Sequence, residues 1–231
     1  MTDGDVPLRI NLGCGERWMA SWRNLDGGPW TRLHRLRSLP IPESILPGAV
    51  RRYPPDLVRW DLRRVPLPFE TDSASVVFTQ YVLEYLTEDE SLRVLAECWR
   101  VLRPGGLIRL NQTDIGAIIA AYGSDDGLRP GPRAVVRAHQ FLDAVAPAHT
   151  TLSARLFRRG GVQQLFDGPK LEWMLLDAGF TDIRFQRLNE GQCPDLAELE
   201  HDWDPPLLRV EALKSGADRA PRPGAKEAPA T

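Results

Sequence analysis

The stretch RINLGCGERWMASWRNLDGG, residues 9–28, decides how the rest of the chain is read. A short apolar run leads into Gly13 and Gly15, one residue apart, and Asp26 follows eleven residues after the second glycine. Glycines directly after a strand-like run let the backbone turn tightly and let a ligand approach it closely. Three ligand-binding loops share this opening. In a dinucleotide fingerprint, G-x-G-x-x-G, a third small residue falls where helix and strand pack, but Trp18 stands at that position. The ribose-binding acid of that motif also lies about 20 residues on, which places Asp26 too early. A phosphate-binding P-loop needs Lys-Ser or Lys-Thr after its glycines, and none follows. What remains is a glycine turn with an acid at the end of the second strand, whose carboxylate could accept both hydroxyls of a ribose. A tight strand-to-helix turn, with Asp26 as a helix or turn cap, is the alternative.

Composition bounds the answer. With 231 residues, 42% of them hydrophobic, and a formal net charge of -2, the chain suits one α/β domain with a sizeable core. No apolar stretch approaches the roughly 20 residues that span a bilayer, and the N-terminus MTDGDVPLRI opens acidic. A cytoplasmic protein without signal peptide or membrane contact is expected. Cys14, Cys98 and Cys193 are widely spaced and odd in number, which fits reduced thiols. The histidines at 34, 139, 149 and 201 show no ligand spacing, so no metal site is expected. No nucleic-acid-binding motif is present.

Strand-like runs alternate with helical periods. LRINL (8–12), WRNLD (22–26), LVRWD (57–61), SASVVFTQ (73–80) and LIRLNQ (107–112) read as strands, as do FTDIRFQRL (180–188) and LLRVEAL (207–213). In TEDESLRVLAECWRVLRPGG, Thr87 and Glu90 form a capping box, and Leu92, Leu95, Ala96, Trp99 and Leu102 form one apolar stripe, ended by Arg103 to Gly106. A second helix is predicted over 169–178 with Gly179 as its C-terminal cap. This alternation predicts a doubly wound, mainly parallel sheet with helices on both faces. Residues 1–214 form the domain. It carries a Pro- and Arg-rich insert over 29–56 and a mostly helical lid or acceptor-side segment over 115–168. Residues 215–231 read as a disordered tail.

The ordered set LGCG, NLD, WDLRRVPLPFETDSASVVFTQYVLEYL and RVLRPGGLIRL resembles the class I S-adenosylmethionine-dependent methyltransferases, from about Leu8 to Lys214. Within that superfamily the chain is most similar to a bacterial group often associated with surface-glycan or natural-product biosynthesis clusters. The resemblance implies a Rossmann-like seven-stranded sheet whose last strand is antiparallel, and S-adenosylmethionine as cofactor. It also implies roles for individual residues. Gly13, Cys14 and Gly15 would pass beneath the methionine part, Asp26 would hold the ribose, and Asp61 and Leu62 would lie beside the adenine. Gln80 and Tyr81 would stand near the methionine end and the transferable methyl. For Asp61 the alternative is an ion pair with Arg63 or Arg64.

A sulfonium is already an activated methyl donor, so a general base matters only if the acceptor must lose a proton. Candidates are Tyr81, Glu84, Tyr85 and Asp114. Glu84 and Tyr85 stand where many relatives read Glu-His, and GGVQQLFD (160–167) lacks a histidine expected there. His139 and His149 could substitute, or could be surface or packing residues. Arg32, Arg35, Arg37, Arg51 and Arg52 form either a basic rim for a phosphorylated, nucleotide-linked or carboxylated acceptor or a solvated face. Trp18, Trp22 and Trp30 either stack on an acceptor or pack the core. The expected activity is methyl transfer to oxygen or nitrogen of a small-molecule or glycan-type acceptor, by a monomer or homodimer. The alternatives are a protein that binds the cofactor or its product without methylating, and a nucleotide-sugar or dinucleotide enzyme, against which Trp18 and Asp26 argue.

Overall fold

A computed structural model describes residues 7–40, 42–123, 162–200 and 206–216. Seven strands form one sheet: β1 (Leu8–Leu12), β2 (Arg23–Asp26), β3 (Val58–Arg59), β4 (Ala74–Gln80), β5 (Leu102–Thr113), β6 (Phe180–Phe185) and β7 (Leu207–Lys214). Their order is β3-β2-β1-β4-β5-β7-β6. The first five strands run parallel, and β7 inserts antiparallel between β5 and β6. The strand order reverses between β1 and β4, which puts a crevice outside the carboxyl ends of those two strands.

β4 is buried on both faces because it is central in the sheet, hence its consecutive apolar Val76, Val77 and Phe78. On one face Ile10, Leu12, Val77, Ile108 and Leu110 pack with residues of α2 (Glu88–Val101) and α4 (Gly168–Asp177). On the other, Val76, Phe78 and Leu107 pack against Trp22, Cys193, Leu196 and Leu199. Among the described residues, this second face is covered by α5 (Leu196–Leu199) and the connections around it, with no long helix. Between the strands lie α1 (Gly48–Arg52) in the insert and α3 (Ile115–Gly123) after β5.

Several expected boundaries move. Trp22 precedes β2, the third strand shrinks to two residues, β6 stops at Phe185, and β5 begins at Leu102, directly behind α2. The helix therefore ends at Val101, before Arg103–Gly106. The capping box is present: Thr87 Oγ1 accepts the Glu90 N–H, and Glu90 Oε2 accepts the Thr87 N–H at 2.9 Å. The buried face of α2 is Ser91, Val94, Leu95, Cys98 and Val101, rotated from the expected stripe; Leu92 and Trp99 pack only at the core's edge. Gly179, at φ +93°, ends α4 as expected.

No helix follows β1. The ten residues from Gly13 to Trp22 cross to β2 through turns alone, held by the Cys14 N–H on the Leu25 carbonyl. A dinucleotide site relies on a helix N-terminus at this point for the pyrophosphate. Its absence joins Trp18 in weighing against that chemistry. Within the insert, residues Pro29–Ser38 and Glu43–Ile45 are 3-10 helical. Residues 124–161 of the lid segment, with His139 and His149, lie outside the described residues, as do His201 and most of the tail.

Candidate cofactor site

A cavity of about 560 Å³ opens at the carboxyl ends of the strands. Gly13 after β1, Asp26 at the end of β2, Asp61 and Leu62 after β3, and Gln80 and Tyr81 at the end of β4 all line it. These are six of the residues to which the sequence reading gave cofactor roles. Cys14 and Gly15 do not line it. Cys14 is buried, and burial pushes its thiol far above the usual range. Gly15 acts on the site through Asp26, to which it donates its backbone N–H.

Asp26 is only 8% exposed. Its Oδ2 accepts from Gly15 N–H at 2.9 Å and its Oδ1 from Gly28 N–H at 2.6 Å. The second bond is the turn cap offered as the alternative for this residue. A carboxylate has about four lone-pair sites, so two N–H donors leave capacity for two more hydrogen bonds. Burial raises the Asp26 pKa, and the two N–H groups pull it back down in part. Gly13 sits at φ +66°, and a Cβ there would run into Val82 Cγ2. Gly27 lies against the backbone of Trp60 and Asp61, so β2 and β3 can meet only because it has no side chain.

Asp61 both lines the cavity and caps its own turn, accepting the Arg63 N–H at 3.2 Å. Its ion pair with Arg63 is long, at 3.6 Å, and Arg63 also approaches Glu90 and donates to the Tyr85 carbonyl. Tyr81 is held at φ +58°, a strained conformation for a side-chain-bearing residue, with its N–H on the Asn111 carbonyl. Non-glycine residues persist in that region where their surroundings over-determine them.

The four acid/base candidates divide. Tyr81 and Tyr85 line the cavity. Tyr85 remains 41% exposed, and desolvation, followed by the neighbouring Glu84 carboxylate, raises its hydroxyl pKa. Such a phenol keeps its proton at neutral pH and serves as a donor. Glu84 is buried away from the lining and accepts the Thr113 hydroxyl at 3.0 Å. Burial raises its pKa more than the Thr113 bonds lower it. Asp114 caps α3 by accepting the Ala117 N–H. Gln163 and Gln164, from the segment lacking the expected histidine, hold the Leu83–Leu86 loop in place: Gln163 N–H donates to the Glu84 carbonyl, and the Gln164 amide donates to the Leu83 and Leu86 carbonyls.

The arginines of the insert also divide. Arg32 lines the cavity and is exposed. Arg37 turns inward and binds the carbonyls of Val50, Arg51 and Tyr53 at the end of α1, while Arg52 pairs with Glu16 at the surface. Trp22 is a core residue, edge-on to Phe78, and Trp18 is 37% exposed with its indole N–H on the Arg52 carbonyl. The Trp30 side chain is outside the described set. His34 bonds the Pro54 carbonyl within the insert. Among the described residues no group of His, Cys, Asp and Glu is arranged to hold a metal, and no helix is long and apolar enough to cross a membrane.

Sequence reasoning missed Gly27, Gly28, Arg63, Val82 and Leu86 in the lining, and a polar network behind Gln80. There Asn111 Nδ2 donates to Gln80 Oε1 at 3.0 Å and to Glu200 Oε1 at 2.8 Å, and Glu200 pairs with the buried Arg109. The signal was present in β5, where Arg109, Asn111 and Thr113 alternate with the apolar Ile108 and Leu110 in a strand buried throughout that stretch.

Residues 10–110 match a family model described as a methyltransferase domain. Over 72 residues the chain is 31% identical to the carboxy-S-adenosyl-L-methionine synthase of Erwinia tasmaniensis, a match covering 29% of this chain and 28% of that relative. The chain thus spans little more than a quarter of the curated relative it matches. A chain of the Haloferax volcanii complex between the Trm112 methyltransferase activator and a methyltransferase is 15% identical, with a TM-score of 0.50, over 91% of this chain and 83% of that one. An S-adenosylmethionine-dependent methyltransferase from Mesorhizobium loti is 20% identical over 89% of this chain and 90% of its own, with a TM-score of 0.48. Residues 10–110 are thus similar to a methyltransferase domain, and the chain shares the fold of the Haloferax volcanii chain.

Proposed function

We propose that the chain transfers the methyl group of S-adenosylmethionine to an oxygen or nitrogen of a small-molecule or glycan-type acceptor. The observation that carries this reading is the meeting of Gly13, Asp26, Asp61, Leu62, Gln80 and Tyr81 around one cavity at the strand ends. The donor set fits the cofactor. Asp26 keeps acceptor capacity for two ribose hydroxyls, Asp61 and Leu62 offer an acidic and an apolar neighbour for the adenine, and Gly13 leaves the backbone open to close approach. Gln80 and Tyr81 serve the methionine end.

The bound cofactor supplies a methyl on a sulfonium, already activated for in-line displacement. The residues of the chain then have to orient the two reactants and keep water out. The strained Tyr81 fixes the wall next to the reacting end, and Tyr85 presents a hydroxyl that stays protonated. Arg32 and Arg63 put positive charge on the lining, which suits an acceptor carrying phosphate or carboxylate.

Incubation with isotope-labelled S-adenosylmethionine and a cell extract from the source organism, followed by mass analysis, tests this. A gain of one labelled methyl on an extract component, lost in Asp26→Ala, is the expected result. A second reading is favoured by the likeness to a synthase of carboxy-S-adenosyl-L-methionine: the chain binds the cofactor and acts without methylating. Cofactor binding with no labelled product would move the assignment there.

A further inference from the structure

The 3-10 helix Pro29–Ser38 turns once every three residues, so its side chains fall into ridges at i and i+3. One ridge faces inward. The Thr31 hydroxyl donates to the Gly28 carbonyl at 2.6 Å, His34 Nε2 bonds the Pro54 carbonyl at 2.8 Å, and Arg37 Nη2 donates to the carbonyls of Val50, Arg51 and Tyr53. The neighbouring ridge, Arg32, Arg35 and Ser38, is exposed along its length. Arg32 lines the cavity, and Arg35 follows on the same edge, about 6 Å further along the helix. Among the described residues neither guanidinium has a hydrogen-bond or ion-pair partner. Arg63, the other cation of the lining, differs: Asp61 and Glu90 each approach it to 3.6 Å, and it donates to the Tyr85 carbonyl.

We propose that Arg32 and Arg35 form a cradle for a phosphate group on the acceptor, either a monoester or the diphosphate link of a nucleotide-bound molecule. Two guanidiniums on one edge repel each other, and the sulfonium of the bound cofactor adds a third positive charge nearby. A carboxylate offsets one of these charges, whereas a phosphate monoester carries about two negative charges at neutral pH. The planar fork of each guanidinium also matches phosphate oxygens two at a time. The inward ridge holds the helix in place, so the cradle is set before the acceptor arrives. This inference rests on the methyl-transfer reading above and names the class of its acceptor.

Two measurements on the full chain test it. In the first, inorganic pyrophosphate is titrated calorimetrically into the chain saturated with S-adenosylhomocysteine. Wild type is expected to bind it, and Arg32→Gln and Arg35→Gln each to weaken that binding roughly tenfold, the scale of a hydrogen bond between charged groups. Both variants should bind S-adenosylhomocysteine as wild type does, which also shows that they are folded. In the second, labelled S-adenosylmethionine is added to cell extract pretreated with alkaline phosphatase or with nucleotide pyrophosphatase. Loss of the labelled product after the first treatment marks a monoester, and loss after the second a diphosphate link; either supports the cradle. Survival of the product through both treatments, no pyrophosphate binding by wild type, or unweakened binding by the variants would overturn the proposal. Weaker S-adenosylhomocysteine binding in Arg32→Gln would place that guanidinium on the cofactor and overturn it too. A wild-type chain that binds no S-adenosylhomocysteine would instead overturn the cofactor reading, an outcome distinct from all of these.

Discussion

The Asp26 carboxylate accepts the backbone N–H of Gly15 at 2.9 Å, tying the end of β2 to the glycine turn after β1. One residue therefore shapes the turn and faces the cavity that the turn borders. Asn cannot replace it. A side-chain amide has one acceptor oxygen for the N–H groups of Gly15 and Gly28, and its NH2 would face whichever is left. Asp26→Asn is therefore expected to weaken S-adenosylhomocysteine binding by about tenfold or more, despite its matching shape, as read by calorimetry. Retained affinity would show that the carboxylate is not a ligand.

Gly13 is required both for its φ of +66° and for the space beside Val82. Gly13→Ala should destabilise the chain by about 1–3 kcal/mol in urea denaturation, from strain and overlap together. Adding Val82→Ala should recover the overlap share only, since the backbone strain remains. Full recovery would mean that the left-handed conformation costs nothing.

Burial raises the pKa of Glu84, and that of Asp26 in the same direction. The unfolded chain then releases these protons more readily than the folded one. The stability they contribute is complete below the ordinary carboxylate range and is lost as pH rises through the raised folded values. Glu84→Gln keeps an acceptor for the Thr113 hydroxyl and carries no charge. It should be at least as stable as wild type at neutral pH, with the advantage fading toward acid pH, in thermal melts across the range. A variant that is less stable at neutral pH and regains wild-type stability in acid would reverse the sign.

Thr87 and Glu90 close a capping box at the start of α2 and do not themselves line the cavity. Thr87→Ala should cost about 1 kcal/mol of stability and leave cofactor affinity unchanged.

Much of this was legible in the chain. The Gly13 turn, the acid at the end of β2 and the Thr87 box depend on residues close in sequence, and local chemistry gave them away. The α2 face was placed wrongly because Leu92 and Trp99 are apolar yet sit at the margin, whereas Ser91 is buried on a bond to the Leu83 carbonyl. The Arg109–Glu200 pair spans 91 residues, and no local pattern couples a charge in β5 to one just after α5. No helix follows the glycine turn after β1, contrary to the strand-to-helix turn offered as the alternative, because the residues from Gly13 to Trp22 bridge two adjacent strands through turns.

The central claim is that an adenosyl cofactor binds at Asp26. Titration of the full chain with S-adenosylmethionine, S-adenosylhomocysteine and NAD, beside Asp26→Ala, tests it most directly. Binding of both adenosyl ligands but not NAD, lost in the variant, is the predicted result. Failure of both to bind, or unchanged affinity in Asp26→Ala, would contradict it.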